Sequence, residues 1–172
     1  MSKVYWITGL SGAGKTTLGS FLTKSLRDIG KNVIFLDGDV LRECLDIAYN
    51  NSRSDRLNLA LKYSKLSRML ASQGATVVIA TISLFKEVHK WNRENIEDYI
   101  EIFLDVPISE LINRDPKGLY KKALSGEIKN VAGLDMNVDY PSKPNFHMKF
   151  EDQQTVEELT HLILSTDHQI KF

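Results

Sequence analysis

The chain has 172 residues, 42% hydrophobic and 26% charged, with a formal net charge of zero. That length suits one domain with one sizeable core, and the neutral balance gives no mark of a nucleic-acid or anionic-membrane partner. No apolar run is long enough for a membrane span and no signal-peptide pattern is present, so the expected compartment is the cytoplasm.

Lys3 to Thr8 is β-branched and aromatic and predicts a first strand. Gly9-Leu10-Ser11-Gly12-Ala13-Gly14-Lys15-Thr16 follows, and the pattern G-x-x-x-x-G-K-T is that of a phosphate-binding loop. Thr16 to Arg27 then predicts a helix with Leu18, Phe21, Leu22 and Leu26 near helical spacing, and Gly30 is its natural C-cap. Asn32 to Leu36 predicts a second strand buried on both faces, ending in Asp37-Gly38-Asp39. A short helix is expected over Val40 to Ala48, carrying Cys44, the single cysteine. One cysteine excludes an internal disulfide or a cysteine zinc cluster, and its expected state is a buried apolar thiol. After a polar turn over Tyr49 to Ser54, with Ser54 as cap, Asp55 to Ser72 predicts a helix. Its apolar face is expected at Leu57, Leu61, Leu66, Met69 and Leu70. Gly74 ends it. Ala75 to Ala80 is a third strand leading into Thr81-Ile82-Ser83. Glu87 to Glu97 is a helix with Trp91 in packing, and Tyr99 to Leu104 is a fourth strand ending at Asp105-Val106-Pro107. Ile108 to Asn113 starts another helix. Arg114 to Lys129 is Lys-rich and short of large aliphatic residues, and Asn130 to Asn145 reads as irregular. The two stretches together could form a mobile lid, although composition alone favours a solvated helix and loop. Phe146 to Phe150 is a last strand and Thr155 to Leu164 a closing amphipathic helix.

Strand and helix alternate, which predicts one α/β domain over 1–172: a parallel sheet of about five strands with helices on both faces, of the P-loop NTPase class, with a lid over about 114–145. In such sheets ligands bind beyond the carboxyl ends of the strands. The phosphate loop, Asp37-Gly38-Asp39, Thr81-Ile82-Ser83 and Asp105 all fall there, so they are expected to line one crevice. The backbone N–H groups of Gly9 to Gly14 can cradle ATP phosphates. Lys15 can reach the β- and γ-phosphates, and Thr16 can ligate Mg²⁺. Asp37 and Asp39 can hold Mg²⁺ through water and accept a proton from a substrate hydroxyl. Asp39, further into the crevice, is the better candidate base and a candidate metal carboxylate. Arg42 can pair with substrate phosphate. No guanine-reading Asn-Lys-x-Asp stretch follows a later strand and the chain is short for a motor, which leaves a small-molecule kinase. A nucleotide-binding regulatory module is the alternative of a different class; Asp39, Arg42, Arg56 and the lid count against it, because a switch needs no hydroxyl acceptor.

Arg114-Asp115-Pro116-Lys117-Gly118-Leu119-Tyr120-Lys121-Lys122-Ala123, Gly126-Glu127-Ile128-Lys129 and Gly133-Leu134-Asp135 resemble the adenylylsulfate kinase family. So do the phosphate loop through Thr17, Leu36-Asp37-Gly38-Asp39 with Arg42, Asp55-Arg56, Ile82-Ser83 and Asp105-Val106-Pro107. The resemblance implies transfer of the ATP γ-phosphate to a ribose 3′-hydroxyl of a nucleotide, with Mg²⁺, a closing lid and a homodimer. It implies catalytic roles for Asp39, Lys15 and the lid lysine Lys117. Gly9, Ser11, Gly12, Ala13, Gly14, Lys15, Thr16, Thr17 and Arg114 are implied at ATP. Asp37, Arg42, Arg56, Ile82, Ser83, Lys117, Leu119, Lys129 and the positions of Asn51 and Val131 are implied at the acceptor.

Three departures fall on the acceptor side. Asn51 and Val131 stand where the family carries the two phenylalanines that clamp adenine, and Leu59 stands where it carries an asparagine. Stacking on an aromatic is worth roughly 1–3 kcal/mol per base, so the pattern points to another acceptor. Relatives that phosphorylate cytidine diphosphoramidate, in capsule phosphoramidate synthesis, are similar in kind. The alternative keeps adenylylsulfate as acceptor, with Tyr49 or Phe146 supplying the stacking.

Overall fold

The computed structural model describes residues 2–45 and 52–166. Asn51 and Tyr49, and with them those acceptor-side expectations, lie outside the described residues. The sheet has five parallel strands in the order β2-β3-β1-β4-β5. They are β1 (Val4–Thr8), β2 (Val33–Asp37), β3 (Thr76–Ala80), β4 (Tyr99–Asp105) and β5 (Phe146–Lys149).

β1 is central because it is apolar on both sides. Tyr5 and Ile7 face the cluster that holds Leu18, Leu22 and Leu26 of α1 (Lys15–Asp28) together with Ile163 of α7 (Val156–Thr166). Val4 and Trp6 face the opposite cluster, with Leu59, Ala60 and Tyr63 of α3 (Arg53–Ser72) and Val88 of α4 (Lys86–Asn95). The period-two alternation of one strand thus recruits one helical layer on each face. Each fully buried leucine on α1 contributes roughly 1.5–3 kcal/mol. Gly30 closes α1: its N–H donates to the Arg27 carbonyl and that of Lys31 to Leu26.

Several expectations need correction. β2 is an edge strand: only Val33 is buried and the rest are half-buried, because one side of the sheet ends there. α2 (Gly38–Cys44) begins two residues earlier than expected, since the Asp37 carboxylate caps it by accepting from the Asp39 N–H at 2.9 Å. Cys44, at its far end, is exposed and not a buried thiol. α3 is capped by Ser52, which accepts from the Asp55 N–H at 3.1 Å, so Ser54 is not the cap. The buried face of α3 is Leu59, Ala60, Tyr63, Ser64 and Ser67, whereas Met69 is 49% exposed. Small residues let the helix lie close to the sheet, and Leu57, Leu61 and Leu70 pack only at the flank of the core.

After β4, α5 (Ile108–Arg114) and α6 (Leu119–Leu124) lead into an irregular stretch that returns to β5. This segment is not a solvated strap. Tyr120, Val131 and Ala132 belong to the same buried cluster as Leu10 of the phosphate loop. No helix among the described residues is long and apolar enough to cross a membrane.

Candidate active site

From β1 the chain crosses to β2 on one side, and from the adjacent β3 it crosses to β4 on the other, so a crevice opens beyond the ends of these two strands. A cleft of about 580 Å³ occupies that place. Its floor is the phosphate loop. At Gly9 a Cβ would stand 2.7 Å from the Leu104 carbonyl, so only glycine lets the loop leave β1 so close to β4. The Lys15 ammonium donates to the Leu10 carbonyl at 2.7 Å, arching over the loop. Burial pushes the Lys15 amine down to about 8; Asp39 and Asp37 oppose the fall and Lys117 adds to it.

The second wall is the turn after β2. The Thr16 hydroxyl donates to Asp37 Oδ2 at 2.6 Å, so the carboxylate beside Thr16 is Asp37. Gly38 packs closely here: a Cβ would lie 3.1 Å from Thr81 Oγ1 and 3.2 Å from the Ala80 carbonyl, so a side chain would press the two walls apart by a few tenths of an ångström. Tyr63 supports this turn by donating to the Gly38 carbonyl at 3.1 Å. Asp39 projects from it and is engaged by both Arg42 and Lys117. Burial acts to raise the Asp39 pKa, but the hydrogen bond and charge of Lys117, with Arg42 and Lys15, hold it below the usual carboxylate value. Asp39 therefore stays ionised.

The third wall is Thr81-Ile82-Ser83. The Thr8 hydroxyl donates to the Ile82 carbonyl, Thr81 and Ser83 share a 2.8 Å hydroxyl contact, and Ser83 holds φ at 32°. A serine held in the left-handed region is strained backbone kept in place by these bonds. The roof comes from 116–138. Arg56 donates to the Asn130 carbonyl at 2.9 Å, and Asp135 accepts from the Asn130 N–H at 2.8 Å and from the Val131 N–H.

Of the expected site residues, Ser11, Gly12, Gly14, Lys15, Thr16, Thr17, Asp37, Asp39 and Arg42 line the cleft, as do Arg56, Ile82, Ser83, Lys117, Leu119, Lys129 and Val131. Gly9 and Ala13 shape the loop from below without being among the lining residues. Arg114 also lies outside the lining; it pairs with Glu110 at 2.8 Å and sits 5.1 Å from the Phe150 ring centre. Asp105 turns away to His147, at 2.7 Å, and does not join the crevice. Phe146 packs against the core from β5 and does not line the cleft, so it supplies no stacking surface there. The sequence reading missed Tyr63, Phe85, Met136 and Val138, which line it. Phe85 had a signal, being two residues beyond a strand-end motif already singled out. Leu59 and Val131, at two of the departure positions, are buried cleft walls, 8% and 3% exposed.

The family model for adenylylsulphate kinase matches residues 1–149. This chain belongs to the adenylylsulfate kinase family. It is 46% identical over 138 residues to the cytidine diphosphoramidate kinase of Campylobacter jejuni, covering 80% of this chain and 81% of that one. It is 42% identical over 146 residues to the adenylyl-sulfate kinase of Pseudomonas aeruginosa, covering 83% and 74%. Among solved structures, the Mycobacterium tuberculosis APS kinase in complex with AMPPNP and APS superposes with a TM-score of 0.87 and 31% identity, covering 95% of this chain and 96% of that one. The chain is thus a kinase of this family, and the parallel five-stranded sheet is the family's fold.

Proposed function

We propose that this kinase transfers the γ-phosphate of ATP to the ribose 3′-hydroxyl of cytidine diphosphoramidate. The observation that carries the choice of acceptor is the aliphatic lining at Val131 and Leu59. A smaller pyrimidine needs less stacking area than adenine, and the greater identity to the Campylobacter jejuni cytidine diphosphoramidate kinase than to the Pseudomonas aeruginosa enzyme supports the same reading. In this reading Gly9 to Thr17 cradle the triphosphate, Lys15 and Lys117 neutralise the transferring group, and Arg42 and Arg56 hold the acceptor's diphosphate. Asp39, ionised and in the cleft, accepts the 3′-hydroxyl proton. Mg²⁺ fits the oxygens present: the Thr16 hydroxyl lies 2.6 Å from Asp37, and such an ion needs only one or two carboxylates beside phosphate oxygens. Asp37 and Thr16 would hold it, with Asp39 acting through water, and the ion would offset phosphate charge. A homodimer and a role in capsule synthesis, both resting on the resemblance, complete the reading, together with the cytoplasmic setting expected from the sequence.

Adenylylsulfate is the second reading, favoured by the rings of Phe85 and Tyr63 in the cleft. The test is kcat/KM for the two acceptors under one set of conditions with MgATP. The expected preference for cytidine diphosphoramidate is roughly tenfold or more, from the stacking lost by adenine. A preference for adenylylsulfate would overturn the proposal.

A further inference from the structure

Tyr120 stands out among the residues around the cleft because the chemistry above does not use it. It is one of the largest fully buried side chains, 1% exposed, in a stretch whose composition is that of a solvated loop. Its ring lies in the cluster with Leu10, Ala13 and Leu111, and its hydroxyl donates to the Ser11 carbonyl at 2.9 Å. Ser11 is a phosphate-loop residue. This bond therefore ties the roof segment directly to the loop, across 109 positions of sequence.

Lys117 precedes Tyr120 by three residues, and the turn between them is held rigidly. Asp115 Oδ1 accepts from the Tyr120 N–H at 3.1 Å and Oδ2 from the Lys121 N–H at 2.9 Å. The Gly118 N–H donates to the Asp115 carbonyl at 3.0 Å. With the Tyr120 end fixed on Ser11 and this turn fixed by Asp115, the Lys117 backbone is held where its ammonium reaches Asp39. Burial, with the nearby Asp115 and Tyr140, pushes the Tyr120 phenol up to about 12, so it remains a donor at working pH.

We propose that Tyr120 is a positioning residue for phosphoryl transfer: its hydroxyl bond to the Ser11 carbonyl sets the lid lysine Lys117 in register with the phosphate loop. The inference rests on the reading of Lys117 as a lysine that acts on the transferring phosphate. Positioning matters here because phosphoryl transfer depends on charges preplaced around the moving group.

The test is a double-mutant cycle on the full chain with Tyr120→Phe and Lys117→Ala, using the acceptor that turns over fastest. Tyr120→Phe keeps the ring and removes only the hydroxyl. It should lower kcat by roughly three- to tenfold, the range of one hydrogen bond. Lys117→Ala should lower kcat on the order of a hundredfold. In the Lys117→Ala background, Tyr120→Phe should cost nothing further, because there is no ammonium left to place. Thermal melting of each variant separates this from a structural effect: a merely structural tyrosine would give the same loss in both backgrounds. Full additivity overturns the positioning role and leaves Lys117 in place. An unchanged Tyr120→Phe enzyme does the same. An unchanged Lys117→Ala enzyme overturns both this inference and the role given to the lysine.

Discussion

Glu101 is a glutamate in the middle of the apolar strand β4, and its side chain is fully buried. Its Oε1 accepts from His89 Nδ1 at 2.7 Å and from the Tyr99 hydroxyl at 2.9 Å, while Oε2 accepts from Arg93. Its backbone N–H donates to Asn145 Oδ1 at 2.9 Å. The partners reach on to the arm that returns to β5: His89 Nε2 contacts the Asp139 carbonyl at 3.2 Å, and Arg93 donates to the Lys143 carbonyl at 2.7 Å. Glu101→Gln keeps shape and one acceptor oxygen but turns an amide toward Arg93 or toward His89 and Tyr99. A buried donor left without an acceptor costs about 1–3 kcal/mol, with more where a charge was paired. We expect a loss of about 3 kcal/mol, or a melting temperature lower by about 6–12 °C for a domain of this size. The sign with pH follows from the carboxyl. Burial acts to raise its pKa, yet His89, Tyr99 and Arg93 hold it below the ordinary glutamate value in the fold. A lowered folded pKa gives stability that is present above the unfolded value and lost as pH falls through the folded one. The gap between native and Glu101→Gln melting temperatures should therefore be full near neutrality and shrink in acid, where the native side chain is protonated too. Hydrogen exchange of residues 139–145 should quicken in the variant. A gap independent of pH, or exchange unchanged in that arm, would refute the assignment of Glu101 as the charged anchor of the returning segment.

Three further outcomes are expected. Lys15, with its pKa lowered to about 8, loses its charge as pH rises through that value in the free enzyme, so kcat/KM for ATP should fall on that limb, and Lys15→Arg should move the limb to higher pH. A profile flat through this region would count against Lys15 as the phosphate cation. Asp39→Asn should lower kcat by at least about a hundredfold while ATP affinity, read by equilibrium binding, changes much less; loss of affinity alone would make Asp39 a metal residue and place the base elsewhere. Val131→Phe should raise kcat/KM for adenylylsulfate relative to cytidine diphosphoramidate by roughly 5- to 100-fold, the worth of one stacked base, and an unchanged ratio would remove this wall from acceptor choice.

Much of this was readable in the chain. Alternating strands and helices follow from local pattern, and Gly9 to Thr16 names its own partner, because a strand, a glycine turn and a helix leave few other uses. What was not readable depends on distant contacts. The run Asn32 to Leu36 looks the same at the edge of a sheet as in its middle, since an apolar run does not report how many neighbours it has. The face of α3 was misjudged because Ser64 and Ser67, fully buried, look like surface residues until the sheet comes close. Tyr120 was hidden in a Lys-rich stretch, since α6 is too short at six residues to display a period. Glu101 did carry a signal that was passed over: a lone charge inside YIEIFL has to find partners once that strand is buried.

The two sides of the cleft hang from different parts of the sheet. The phosphate loop issues from β1, whose every residue is buried between two neighbouring strands and two helical layers. Asp37 to Arg42 issue from the half-buried edge strand, Leu59 from the first turns of α3, and Val131 from irregular chain. A change in β1 disturbs both buried clusters at once, whereas a change at Leu59 or at Val131 falls in one of them, on one face of the sheet. On the proposed reading, ATP is handled at the keystone and the acceptor at the periphery. Such a scaffold can be retuned to a new phosphoryl acceptor by a handful of substitutions in the acceptor wall while its phosphate loop is left intact. An effort to redirect this enzyme should therefore keep β1 and its loop fixed and search among positions such as Leu59, Phe85 and Val131.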